Sequence, residues 1–257
     1  MNVMELFDLT GKTAIVTGGG RGLGKQIAEG FAEAGANVVV CSRKLDACES
    51  VREELESKGV KSLAFECDVT NQEQVQRVVD GTVKEFGRID ILVNNSGASW
   101  GAPVVEMPLE AWHKVLEVNV TGTFLFAQAA GKEMIKQQSG KIINIASVAG
   151  LGGADPRYMD AIGYNTSKGA VITFTKDLAV KWGGHNINVN AIAPGFFPTK
   201  MSKGLIEAGG DRMLETTPLN RFGSDDDLKG AALFLASQAS NYVTGDILIV
   251  DGGQHAM

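Results

Sequence analysis

A chain of 257 residues with 44% hydrophobic and 21% charged residues, at a mean hydropathy of +0.01, holds enough apolar material for a sizeable core and excludes a disordered tail. A formal net charge of −6 and a pI near 5.2, with neither a basic stripe nor a polybasic cluster, exclude nucleic acid and anionic membrane as main partners. No apolar run reaches the roughly 20 residues of a membrane span, and Met1 to Thr10 lacks the charged and apolar regions of a signal peptide, so the expected compartment is the cytoplasm.

Short runs rich in Val and Ile alternate with longer segments of helical period, the sequence form of repeated βαβ units. The first strand, Lys12 to Thr17, ends in Thr17-Gly18-Gly19-Gly20-Arg21-Gly22-Leu23-Gly24, and a helix begins at once in Lys25 to Ala28. Glycines there let the backbone turn sharply and approach a pyrophosphate at the positive end of the helix, although the spacing GxxxGxG is not the GxGxxG of the standard fingerprint. Gly18, Arg21, Gly22, Leu23 and Gly24 are the candidate contacts. The second strand, Asn37 to Cys41, runs into Ser42-Arg43-Lys44, where a site selective for NAD offers an acidic side chain to the adenosine ribose. Arg21, Ser42 and Arg43 can instead converge on a 2′-phosphate, which predicts a preference for NADP(H) over NAD(H); the alternative is that Arg43 and Lys44 only solvate a helix start.

Further strands are expected at Ser62 to Cys67, Ile89 to Asn94, Lys141 to Ala146, Ile187 to Ile192 and Asp246 to Val250, all apolar enough to be buried on both faces as parallel strands are. Val75, Val78, Val79 and Phe86 share one helix face, and Val171, Phe174, Leu178 and Trp182 share another. Thr70 with Glu73, and Ser224 with Asp227, match helix-start capping boxes. The uninterrupted alternation predicts an α/β fold over 1–257: a single-domain, Rossmann-type doubly wound parallel sheet of about seven strands with helices on both faces. Cys41, Cys48 and Cys67 form no CxxC pair and read as reduced, buried hydrophobes. His113, His185 and His255 lie apart from one another and from any cluster with metal spacing, so no metal is expected.

The strand Lys141 to Ala146 ends at Ser147, and downstream stands Tyr164-Asn165-Thr166-Ser167-Lys168. Helical spacing puts the Tyr164 phenol and the Lys168 ammonium on one face, and a close cation favours phenolate, bringing a group of ordinary pKa about 10 toward working range. With Thr17 to Gly24, Asn94-Asn95-Ser96-Gly97, Asn119 and Pro194-Gly195, this combination strongly resembles the short-chain dehydrogenase/reductase family over essentially the whole chain.

The resemblance implies a carbonyl–alcohol oxidoreductase in which Tyr164 is general acid or base, Lys168 lowers its pKa and holds the nicotinamide ribose, Ser147 hydrogen-bonds the substrate oxygen, and Asn119 anchors a water that links Lys168 to solvent. It also implies cofactor contacts from Asp68 and Val69 after the third strand, Asn95 and Gly97 after the fourth, and Pro194, Gly195 and Thr199 after the sixth. Asp68 reads equally as a helix-start residue beside Thr70. Residues 196–221 read as a Met- and Gly-bearing lid including Met201, or as plain surface helix and loop. Two departures stand out: Ser96 occupies a position where the family usually has alanine, and the Ser147 to Tyr164 interval is longer than in many members. Tyr158 within it has Ile162, not lysine, four residues on. Ala98 to Gly101 and Ile187 to Met201 look closest to 3-oxoacyl-[acyl carrier protein] reductases, whereas the long interval looks more like gluconate 5-dehydrogenase and related polyol enzymes. The implied substrate is a 3-oxoacyl thioester or similar ketone, with a sugar or polyol as the alternative. A homotetramer or dimer is implied, and from another class a non-catalytic cofactor-sensing or scaffold protein on the same fold.

Overall fold

The structure, a computed structural model, describes residues 2–157, 159–200 and 202–257, apart from the side chain of Ala208. Tyr158 and Met201 lie outside the described residues. Seven parallel strands form one sheet in the order β3-β2-β1-β4-β5-β6-β7: β1 Thr13–Thr17, β2 Asn37–Ser42, β3 Ser62–Glu66, β4 Ile91–Asn94, β5 Gly140–Ile145, β6 Ile187–Pro194 and β7 Ile247–Val250. Eight helices accompany them among the described residues: α1 Gly22–Glu33, α2 Leu45–Glu56, α3 Gln72–Phe86, α4 Leu109–Leu116, α5 Gly122–Gln137, α6 Ile162–Trp182, α7 Lys203–Glu215 and α8 Lys229–Ala236. The doubly wound single sheet is the one the alternating sequence predicts.

Alternate strand residues point to opposite faces, and each face has its own core. Val16, Val38, Val93 and Ile143 pack beneath Ile27 and Phe31 of α1 and Leu235 of α8. Ile15, Val39, Leu92 and Ile142 pack beneath Val75, Val78 and Val79 of α3, Phe126 and Met134 of α5, and Leu178 of α6. Every residue of β1 and β4 is buried, whereas the edge strands β3 and β7 are only partly covered. The three cysteines are free and buried, as expected. No helix among the described residues is long and apolar enough to cross a membrane.

Three local expectations change. β4 starts at Ile91 rather than Ile89, because the Gln137 side-chain amide takes both backbone groups of Ile89, at 3.0 and 2.7 Å, and Asp90 turns in to accept from the Thr13 N–H. The cap of α3 is Asn71, whose side chain accepts from the Gln74 N–H at 3.0 Å, while the Thr70 hydroxyl donates instead to Asp68. Asp227 does reach back to the Ser224 N–H at 2.7 Å, but Arg221 shares its carboxylate and α8 begins only at Lys229.

The strand order reverses between β1 and β4, so the chains leaving their carboxyl ends diverge and open a crevice, where open α/β sheets bind ligands. Thr17 and Asn95 tie that point together. The Thr17 hydroxyl accepts from the Asn95 and Ser96 N–H groups, each at 3.0 Å, and the Asn95 side chain donates to the Thr17 carbonyl at 2.9 Å. Gly24 packs under this knot: a Cβ there would lie 2.5 Å from the Gly18 carbonyl oxygen and against the Asn95 amide. Gly24→Ala is expected to lose about 1–3 kcal/mol, the usual penalty of overpacking, in urea denaturation; an unchanged midpoint would show that the loop has room to shift.

Candidate active site

The residues at the carboxyl edge of the sheet border one continuous cleft of about 1810 Å³. That exceeds the usual 300–1,000 Å³ of a small-ligand pocket and leaves room for a dinucleotide together with a second molecule. Gly18, Arg21, Gly22 and Leu23 line it after β1, and Ser42 and Arg43 after β2. Asp68 and Val69 line it after β3, Asn95 and Gly97 after β4, Ser147 after β5, and Pro194, Gly195 and Thr199 after β6. Tyr164 and Lys168 reach it from α6. Of the expected residues only Gly24 and Asn119 stand outside its lining, Gly24 because it packs the loop from beneath.

The glycine turn suits a pyrophosphate. Gly18 and Gly22 adopt φ of +64° and +54°, the left-handed region that glycine enters without strain. Arg21 precedes α1 without a side-chain cap, so the first-turn N–H groups of a 12-residue helix remain available to an anion. Thr199 lies across this turn, its methyl carbon 3.6 Å from where a Gly22 side chain would begin, and its hydroxyl is 3.1 Å from that of Ser202. Dinucleotide and cleft therefore fit.

At the end of β2 the Ser42 hydroxyl is engaged locally, donating to the Lys44 carbonyl at 3.1 Å and accepting from the Cys48 thiol at 3.2 Å. Arg21, Arg43 and Lys44 have no carboxylate partner among the described residues, so three uncompensated cations border this end of the cleft. Asp68 lines the cleft, and its carboxylate accepts from the Thr70 N–H at 3.0 Å and hydroxyl at 2.8 Å.

Tyr164 and Lys168 share one face of α6, with the Lys168 Nζ 5.6 Å from the centroid of the phenol ring. The electrostatics differ from expectation. Burial raises the Tyr164 pKa, opposed by the hydrogen bond to the Ser147 hydroxyl, rather than the ammonium lowering it. Burial also pushes Lys168 down to about 8, and its Nζ donates to the Ile145 carbonyl at 2.7 Å, at the end of β5. The ammonium is thus drawn toward the strand end, and the phenol is held protonated by its surroundings.

Asn119 sits in a π-helical turn, Glu117–Thr121, between α4 and α5. Its amide accepts from the Ala98 N–H at 2.7 Å and donates to the Ala98 carbonyl at 2.9 Å and the Ser167 hydroxyl at 2.8 Å. The side chain therefore locks the chain after β4 to the second turn of α6, tying together the two segments that carry Gly97 and Tyr164. Sequence reading placed Thr17 at the start of the glycine motif but gave its hydroxyl no role, and it gave none to Gln254 and His255, which line the cleft from the far end of the chain.

The family model described as enoyl-(acyl carrier protein) reductase, of the short-chain alcohol dehydrogenase type, matches residues 18–255. Gluconate 5-dehydrogenase of Gluconobacter oxydans is 38% identical over 255 residues, 98% of each chain. A 3-oxoacyl-[acyl-carrier-protein] reductase of Aquifex aeolicus is 39% identical over 246 residues, covering 95% of this chain and 98% of that one. The crystal structure of a gluconate 5-dehydrogenase from Burkholderia cenocepacia in complex with NADP and tartrate is 36% identical and superposes with a TM-score of 0.94 over the full length of both chains. With its glycine turn, its reversed strand order and the Ser147, Tyr164 and Lys168 cluster, the chain belongs to the short-chain dehydrogenase/reductase family of nicotinamide-dependent oxidoreductases.

Proposed function

We propose that this protein is an NADP(H)-dependent ketone reductase, working reversibly, whose substrate is a 3-oxoacyl thioester or similar carbonyl compound. The observation that carries it is the meeting, in one cleft, of the Tyr164 phenol and the Ser147 hydroxyl with a nucleotide end that bears Arg21 and Arg43 and no acidic side chain in Ser42 to Lys44. The apolar wall of Val148, Leu151, Phe196, Leu205 and Met213 suits an acyl chain. The gluconate 5-dehydrogenase relatives and the polar groups Asp155 and Lys200 on the same wall favour a second reading, a hydroxylated keto acid. A non-catalytic role loses ground because Ser147, Tyr164 and Lys168 are assembled rather than dispersed.

Bound NADPH supplies a hydride to the carbonyl carbon. The Ser147 hydroxyl orients the carbonyl oxygen, and Tyr164 gives its phenolic proton to that oxygen as negative charge develops there. Lys168 favours the phenolate left behind and, through its ammonium, the sugar hydroxyls of the cofactor. Asn119 keeps α6 in register with the loop after β4, and its proposed water would return the proton from solvent. Residues 196–221, with a non-helical kink at Gly209 inside α7, form the lid. Exposed Leu109, Phe124 and Val180 on α4 to α6 support a homotetramer or dimer, and the three free cysteines suit the cytoplasm.

A panel of ketones assayed with each reduced cofactor tests the reading: NADPH should outperform NADH, and Arg43→Ala should raise the NADPH KM at least about tenfold, one charge-assisted contact's worth, without raising that for NADH. Equal use of NADH would remove the cofactor preference. Tyr164→Phe is expected to abolish turnover while NADPH still binds by fluorescence titration; wild-type turnover in that variant would refute the assigned proton donor. Because burial depresses Lys168, its charge is present below about 8 and lost as pH rises through that value. Reductive kcat/KM should accordingly be flat below that pH and fall above it, and a profile flat to pH about 10 would contradict the role given to the ammonium.

A further inference from the structure

The chain after β7 returns to the reacting end of the cleft. Asp251 packs so closely on the strand end of β6 that a Cβ on Gly195 would lie 2.8 Å from its Cα, and the Gly195 N–H donates to the Val250 carbonyl at 3.0 Å. The Asp251 carboxylate, only 4% exposed, then organises the last turn: it accepts from the Gly253 N–H at 2.8 Å, the His255 N–H at 2.7 Å and the His255 Nδ1 at 3.0 Å. The Leu219 N–H donates to the Gly252 carbonyl at 3.1 Å, fastening the turn to the end of the lid segment. Gln254 and His255 are thereby held on the cleft wall.

The two side chains are left uncommitted in different ways. The Gln254 Oε1 is shut away from solvent and has no hydrogen-bond partner, and none of its side-chain atoms is bonded elsewhere among the described residues. A buried amide oxygen without a partner is disfavoured, and turning about the last side-chain torsion offers the cleft either the oxygen or the N–H groups. The His255 imidazole is oriented through Nδ1, which leaves Nε2 without a partner among the described residues. Both side chains line the same cleft as Ser147 and Tyr164, which already supply the groups for a reacting carbonyl.

We infer that Gln254 and His255 are specificity-determining residues, binding a hydroxyl or amide N–H of the substrate remote from the carbonyl that Tyr164 and Ser147 address, with Asp251 as the positioning residue. The inference rests on the ketone-reductase reading. The chemistry is shared by both substrate classes, a pantetheine-like arm supplying an amide N–H and a keto acid supplying hydroxyls.

The test compares kcat/KM within two substrate pairs, with NADPH: 3-oxobutanoyl-N-acetylcysteamine against ethyl 3-oxobutanoate, and 5-keto-D-gluconate against cyclohexanone. Gln254→Ala and His255→Ala are expected to lower the donor-bearing over donor-free ratio about tenfold, through KM, in the pair that matches the natural substrate. Gln254→Glu, which keeps an acceptor, should recover part of that ratio. A loosened fold would lower both members of a pair together, so an unchanged ratio in both pairs overturns the inference. An equal rise in the NADPH dissociation constant overturns it too, because the turn would then serve the cofactor. If wild-type protein binds NADPH but reduces none of the four, the ketone-reductase reading falls and this inference with it; if it reduces them and only the ratios stay fixed, this inference alone falls.

Discussion

Where β1 and β4 part, one threonine hydroxyl accepts two backbone N–H groups from the neighbouring strand's exit, and one asparagine amide returns a bond to the threonine's carbonyl. Everything at the carboxyl edge of the sheet depends on that junction. It keeps the two exits together just long enough for Gly18 to turn at positive φ and for Gly24 to slide beneath, and only then do they diverge into a crevice. A side chain at either glycine would push the Asn95 amide away and loosen the knot that shapes the nucleotide end.

The reacting end is governed by burial rather than by the nearest charge. Tyr164 and Lys168 are neighbours on α6, but desolvation acts on both and in opposite senses, raising the phenol and lowering the ammonium to about 8. Desolvation disfavours charge on each group, which keeps the phenol protonated and ready to donate, while a value near 8 still leaves the Lys168 ammonium charged at neutral pH to favour the phenolate that forms. The Ser147 hydroxyl, bonded to the phenol, is the one group that pulls Tyr164 back. Positioning comes from farther off: Asn119, through Ala98 and Ser167, fixes where α6 stands relative to the sheet.

Strands were legible because both of their faces are buried, and the Val and Ile runs left no other reading. Their ends were less so. Ile89 looks like strand, yet Gln137, distant in sequence, takes its backbone groups. Thr70 and Glu73 fit a capping box, yet the neighbouring Asp68 takes the threonine and Asn71 caps the helix. A partner distant in the chain made the first decision, and competition among adjacent polar side chains made the second. The sign of the Tyr164 shift was hidden too, since sequence shows a lysine one turn away but not how deeply the phenol is covered.

By itself the sequence determined the alternating sheet and helices, the glycine turn, the absence of an acid in Ser42 to Lys44 at the end of β2 and the spacing of Ser147, Tyr164 and Lys168, because each is written in neighbouring residues and their periodicity. Tertiary structure decided what those groups meet. It set burial above charge at Tyr164, made Asn119 a brace between two segments, and brought Gln254 and His255 from the last turn to the same cleft. The reason is geometric: seven parallel strands end at one edge, and residues far apart in the chain become neighbours only once that edge exists.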